Sequence, residues 1–416
     1  MATRWVKKTL LERARRQVVR AAVLKLKTVI TVEPYVPEPL RGADEGEVDD
    51  SNSSANRFRI VASAVGAHDS PNWLVVLNNH GEVLDTLALH FIKTHVSAKL
   101  KPGDMQDSQR EDIRKFRELL KKHDPKLIVI GATGPECISY KLDLEKKVLH
   151  ELPNIRVELV DPETGRIFAQ SERAEIEFRD YVNNSPALLQ PISFGRLVLD
   201  PLAEVASLWY RDSQHPTLLD VLAMNLHPLQ PYVPPHMMIE GLTRAMVQVV
   251  SFVGIDVNRI VNRPQLCAAL QFVPGLGPVK AKALLDLVKT RGYAATRSEL
   301  LDDKEASEFV RRAWKMGKTT YLNSAAFLNI RRNVRSHGTD DEESQAEIKL
   351  TLLDSTRIHP EHYELAYQVA QDALEQTMEE EDEDVETKRN GWIKDLRENK
   401  DHCQSKIDDL DLDAFA

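Results

Sequence analysis

A change of apolar period near residue 58 constrains the fold more than any other feature of the chain. Before it, Val6, Leu10, Ala14, Val18, Ala22 and Leu26 recur at helical spacing between basic residues, which predicts one amphipathic helix over residues 5–30. After it the period is two. FRIVASAV (58–65), NWLVVLNN (72–79) and EVLDTLALH (82–90) read as three strands, the last two joined by a tight turn at Asn79-His80-Gly81. A helix follows over 107–123, the apolar strand KLIVIGA over 126–132, a helix over about 137–149 and the strand IRVELV over 155–160. This order, βββαβα(β), specifies a mixed sheet with flanking helices.

A meander that passes into a strand–helix–strand crossover is the layout of ribonuclease-H-like folds. Residues 186–209 then read as helical, interrupted near Pro191 and by Pro201, and a proline-rich hinge occupies 226–238. From 238 to 330 the chain reads as almost entirely helical, punctuated by glycines, and 357–376 reads as a helix with Pro360 in its first turn. Residues 41–57 and 333–347 are polar and aperiodic, as linkers are, and Glu379–Asp384 is a solid acidic block. The expected organisation is a basic helical segment (1–40), a linker (41–57), an α/β domain (58–225), a helical domain (226–332), a second linker (333–350) and a partial helical domain carrying the acidic segment (351–416).

Composition excludes some classes. The formal net charge of −9 over 416 residues is not that of a chain coated in base for nucleic acid, although the first forty residues are strongly basic. Cys137, Cys267 and Cys403 lie far apart with no CxxC pair, so neither a zinc knuckle nor a disulfide framework is supported, and a reducing compartment fits. No membrane-length apolar run and no leader-like segment occur, so a soluble intracellular protein with no cofactor and no membrane contact is expected.

QFVPGLGPVKAKALLDLVK (271–289) has the helix-hairpin-helix pattern, with Gly275 and Gly277 between two helices and Lys280 and Lys282 at the start of the second. Glycines permit positive φ and clear side chains from the backbone, and the next helix then begins with bare N–H groups reinforced by its dipole. A DNA or RNA backbone phosphate fits there, read without sequence preference and sensitively to salt. The alternative is a turn that lets two helices pack closely. KMGKTTYLNSAAFLNI (315–330) offers a second hairpin, with Gly317 and Lys318. Its MGKTT is not a P-loop, because Arg312 stands where another glycine is needed.

Ribonuclease-H-like nucleases hold metal ions with convergent carboxylates, the first of them midway along the first strand. Here that strand offers Ala62, Ser63 and Ala64. Glu136 and Asp200 are placed for the second and third carboxylates, and Asp69 lies beyond the strand in the turn. Two without the first bind metal poorly, so the expectation is a scaffold with no catalytic residues and no metal; a nuclease using Glu136, Asp200 and Asp69 is the enzymatic rival. His359 and His362 lack a third ligand and are expected to cap or face solvent.

Several ordered stretches are familiar: EFRDY (177–181), DPLAEVA (200–206), HPLQ (227–230), VGIDVNRIV (253–261), GLGPVKAKALL (275–285), AAFLNI (325–330), LDSTRIHPEHYELA (353–366) and DLDLDAFA (409–416). Together they resemble the central core of the suppressor-of-Ty-six (Spt-six) transcription elongation factors, eukaryotic relatives of the bacterial Tex proteins, from Trp5 onward. The resemblance implies a multidomain α/β plus α chain: a YqgF-type ribonuclease-H-like mixed sheet, a tandem helix-hairpin-helix domain and the start of a death-like domain. It further implies a nuclear histone chaperone travelling with RNA polymerase II, whose YqgF-like domain lacks the full nuclease set, in agreement with Ala64. The acidic N-terminal region and the S1 and SH2 domains of such proteins are not in this sequence, which implies a fragment, a truncated product or a reduced paralogue. Lys318-Thr319 stands where relatives tend to carry Pro-Lys, which weakens the case for the second hairpin.

Overall fold

In the computed structural model the period-two segments form one five-stranded sheet of order β3-β2-β1-β4-β5. The strands are β1 (Arg59–Ala64), β2 (Asn72–Asn78), β3 (Val83–Leu89), β4 (Leu127–Gly131) and β5 (Arg156–Val160). The structure describes residues 2–37, 58–66, 70–90, 102–152, 154–179, 186–209, 219–263, 266–291, 294, 296–300, 318–331, 351–374 and 385–398. The expected linkers, Asp69, Gly317 and the acidic block lie outside them. Two units are distinguished, Met1–Val249 and Val250–Ala416.

In the first unit β1 is the hinge of the topology. It pairs antiparallel with β2, Ile60 opposite Leu77, and parallel with β4, Ile60 beside Leu127. Both faces of the central strands are buried, so alternate residues feed two cores. Val61, Leu74, Val76, Ile128 and Ile130 pack with Phe116 of α2 (Pro102–His123) and Tyr140 and Leu144 of α3 (Glu136–Lys147). Ile60, Val75, Leu77, Leu127 and Val129 pack on the other side with Phe168 of α4 (Glu163–Phe168) and Ile192 and Phe194 of α6 (Leu189–Leu199). Between those two helices lies α5 (Glu172–Glu177).

Two glycines set the depth of α6 on the sheet. A Cβ on Gly131 would stand 2.2 Å from the Phe194 ring, and one on Gly165 would stand 2.2 Å from its opposite edge. The ring is gripped between two bare backbones. Pro191 does not interrupt α6 as expected; it lies in the first turn, where its missing N–H has no helical partner to lose. Pro201 does mark a break, at the start of α7 (Pro201–Ala206).

The basic helix α1 (Ala2–Ile30) is as expected in extent but not in burial. Ala22, Leu26 and Ile30 are buried, whereas Trp5, Val6, Leu10 and Leu11 are exposed. Its C-terminal half is tied down by Lys27 to Gln248 (2.8 Å) and by Lys25 to the Asn225 carbonyl (2.7 Å). No helix among the described residues is long and apolar enough to cross a membrane.

The helix α8 (Pro235–Val253) leads into the second unit, and Gly254, at φ +74°, stops it. The chain leaves that glycine extended, and β6 (Ile255–Asp256) pairs in parallel with β7 (Leu328–Asn329). A stretch expected to be almost wholly helical therefore contains a two-residue parallel pair, which apolar periodicity is too short to reveal. The helices described in this unit are α9 (Arg259–Asn262), α10 (Leu266–Leu270), α11 (Pro278–Arg291), α12 (Lys318–Ser324), α13 (Tyr363–Leu374) and α14 (Val385–Glu398).

Candidate nucleic-acid interface

The first hairpin is α10, a loop over 271–277, and α11. Phe272 and Val273 are buried and anchor the loop, while the amides of Val273 and Leu276 donate back to Leu270 and Val273 at 3.1 and 3.0 Å. The two glycines then do different work. Gly275 takes φ +83°, and a Cβ there would lie 3.1 Å from the Thr320 carbonyl oxygen and 3.2 Å from Asn323 Cβ. It is a glycine because the loop is left-handed at this point and presses on α12. Gly277 has no positive φ, and a Cβ there would meet nothing within 4 Å. It opens on empty space.

Gly277 is the residue from which α11 starts, since its carbonyl accepts from the Ala281 amide at 2.8 Å. Pro278 follows at the first helical position, where a missing N–H costs nothing. The next amides, those of Val279 and Lys280, belong to the first turn, which lacks intrahelical acceptors. Val279 is 79% exposed.

The lysines also differ. Lys280 is half-buried, its ammonium donating to Thr320 Oγ1 at 2.8 Å and towards the Gly275 carbonyl at 3.4 Å. Lys282 is exposed. Two residues apart on a helix they point to different sides, so the structure does not bring both ammoniums to one spot. Lys318 is exposed at the first position of α12.

Among the described residues no three acids, histidines or cysteines come together to hold a metal ion. Ala64 closes β1, buried, and the hydroxyl of its neighbour Ser63 lies 3.3 Å from Tyr140 Oη. Burial pushes the Tyr140 phenol up to about 12. Glu136 is exposed at the start of α3. Asp200 caps α7, its Oδ1 accepting from the Ala203 amide at 2.9 Å. Glu204, which is buried, and Glu177 both serve arginines. Glu204 accepts from Ser193 at 2.7 Å and from Arg173 at 3.4 Å. Glu177 pairs with both terminal nitrogens of Arg196. Burial works against its ionisation, yet the Arg196 and Arg173 charges hold its carboxyl below the usual range.

Sequence reasoning missed a deeply buried charge. Arg297 is 1% exposed, donating from Nε to the Leu328 carbonyl at 2.8 Å and from Nη1 to the Ile358 carbonyl and Tyr363 Oη, both at 2.7 Å. Its Nη2 donates to the Thr356 carbonyl. Asp354 completes the cage, accepting from the Arg297 amide at 3.0 Å and from Tyr363 Oη at 2.5 Å. Burial and the Asp354 carboxylate together drive the Tyr363 phenol far above its ordinary value. No local pattern marks Arg297; the only cue was an aspartate inside the ordered stretch LDSTRIHP. His359 caps as expected, its Nδ1 accepting from the Glu361 amide, while Nε2 lies 2.9 Å from the Leu322 carbonyl. Nearby, burial pushes the Asp256 carboxyl up to about 6, against the opposing pull of Arg259 and Arg331.

Family profiles match this architecture in order. The Holliday-junction resolvase-like domain of SPT6 matches residues 54–209, a helix-hairpin-helix motif matches 219–331 and a further HHH domain matches 351–409. The transcription elongation factor SPT6 of Drosophila melanogaster is 31% identical over 99% of this chain and 20% of its own length. The suppressor of Ty 6 homologue of Caenorhabditis briggsae is 28% identical over 98% of the chain and 24% of its own length. SPT6 of Candida albicans is 35% identical over 61% of the chain and 16% of its own length. The chain thus spans about a fifth of these relatives. With the mixed sheet, the Gly275 hairpin and these matches together, the chain belongs to the SPT6 family of transcription elongation factors.

Proposed function

We propose that this chain is a non-enzymatic, sequence-independent nucleic-acid-binding scaffold within a transcription elongation factor. The observation that carries the reading is the start of α11: an N-terminus approached through the open side of Gly277, with Lys282 exposed on its second turn. Gly275, Gly277, Lys280 and Lys282 make up the phosphate-binding hairpin, and Gly317 with Lys318 is its weaker partner. Contacts of this kind neutralise phosphates and release counterions, so affinity must fall with salt.

The ribonuclease-H-like domain is inferred to serve as support. In favour stand Ala64 in place of a carboxylate and the commitment of Asp200 to a helix cap. In the full-length setting of its relatives the chain is inferred to act in the nucleus, alongside RNA polymerase II and histones. The divisions at 58–225, 226–332 and 351–416 are proposed as the YqgF-like, helix-hairpin-helix and opening death-like segments.

Fluorescence anisotropy of a labelled duplex of arbitrary sequence, titrated at about 50 and about 200 mM salt, tests the binding. Steep weakening at the higher salt is expected. Absence of binding at the lower salt would overturn the reading and favour a protein-interaction platform. Duplex or branched DNA cut in the presence of Mg²⁺ or Mn²⁺ would overturn the non-enzymatic part.

A further inference from the structure

The Lys280 ammonium is turned back over the loop that precedes its own helix. Its partners are the Thr320 hydroxyl on α12 at 2.8 Å and the Gly275 carbonyl at 3.4 Å. At the same place the Gly275 backbone presses on the Thr320 carbonyl and on Asn323. One lysine thus straps the loop of the hairpin to α12. Lys282 lies about 200° further round α11 at 100° per residue, and is exposed. An ammonium with two protein oxygens near it has less to offer a phosphate than one that faces water.

We propose that Lys280 is a positioning residue rather than a phosphate ligand. It latches the Gly275 loop onto α12 and so fixes the direction in which the start of α11 points, leaving Lys282 to meet the phosphate. The consequence for binding rests on the nucleic-acid reading above; the latch itself does not. The distinction is chemical. Removing the Thr320 hydroxyl removes no charge, so it leaves the cations available for counterion release unchanged, yet it breaks the latch. Removing a true phosphate ligand lowers the salt dependence whatever residue stands at 320.

The test uses the full chain with Lys280→Met, Thr320→Val, the two combined, Thr320→Ser and Lys282→Met, titrated against the labelled duplex from about 50 to about 200 mM salt. Lys280→Met and Thr320→Val are each expected to weaken binding about fivefold, as loss of one hydrogen bond does, with the double variant no weaker than either. The slope of log K against log salt stays native in all three. Thr320→Ser, which keeps the hydroxyl, restores native affinity, and Lys282→Met lowers the slope by about 0.9. A silent Thr320→Val together with a slope lowered by about 0.9 in Lys280→Met overturns the latch and makes Lys280 a ligand. If the native chain binds no duplex, the functional reading fails and thermal unfolding decides the latch alone. Melting shifts of the two single variants that do not add support it, and additive shifts overturn it.

Discussion

Gly275 and Gly277 look equivalent in the sequence and are not. Gly277→Ser puts an acceptor at the residue that starts α11, where a serine hydroxyl takes a first-turn amide. Stability is expected to rise by a few tenths of a kcal/mol, read by denaturant midpoint, while duplex affinity falls severalfold because the donor a phosphate needs is satisfied internally. Unchanged affinity in that variant would remove α11's first turn from the interface. Asp256 carries a second expectation. Its folded carboxyl titrates at about 6 against an ordinary 3.8, so the folded chain holds the proton more tightly than the unfolded one. Stability contributed by the protonated form is present at low pH and lost as pH rises from about 4 to about 6, by on the order of 2 to 3 kcal/mol. Asp256→Asn keeps an oxygen for the Asn258 amide, which donates to Oδ1 at 3.0 Å, and removes the titration. Between about pH 4.5 and about pH 7.5 the variant should therefore gain on the native chain. Parallel stability profiles would show that the burial of Asp256 does not couple to folding.

Among the elements, α6 depends on two positions without side chains. Gly165→Ala drives a methyl into the Phe194 ring and should cost about 1–3 kcal/mol, measured as a loss of chemical stability. Phe194→Leu in the same chain should return part of that loss, because a smaller side chain frees the space. The strands and long helices were legible because their apolar residues repeat at two or 3.6 over enough positions to exclude the other period. Register followed from the same alternation, since a slip by one residue would expose Ile60 or Val61 to the wrong face. The short elements were not legible. A two-residue pair such as β6–β7 has no period, and the chain direction after Gly254 is set by a partner more than seventy residues away. In the candidate site the residue types were readable and their orientations were not. Nothing in VKAKAL says that Lys280 folds back onto Thr320 while Lys282 stays free of the loop.

At the scale of the molecule, the second unit is organised around Arg297. The guanidinium is held by carbonyls from β7 and from residues 356–358, so β7 and the segment that leads into α13 share one buried charge. A fragment covering residues 250–332 should consequently fail to unfold cooperatively, because it keeps the cation and discards most of its acceptors. A fragment covering 250–416 should show a single sigmoidal transition by circular dichroism. Sharp cooperative melting of the shorter piece would mean that the cage is dispensable. The matches to residues 219–331 and 351–409 are separate in sequence, but the cage sits across the gap between them. A gene fusion that cut the chain in that gap would strand an arginine in an apolar interior. Descendant genes should therefore inherit or lose the two stretches together.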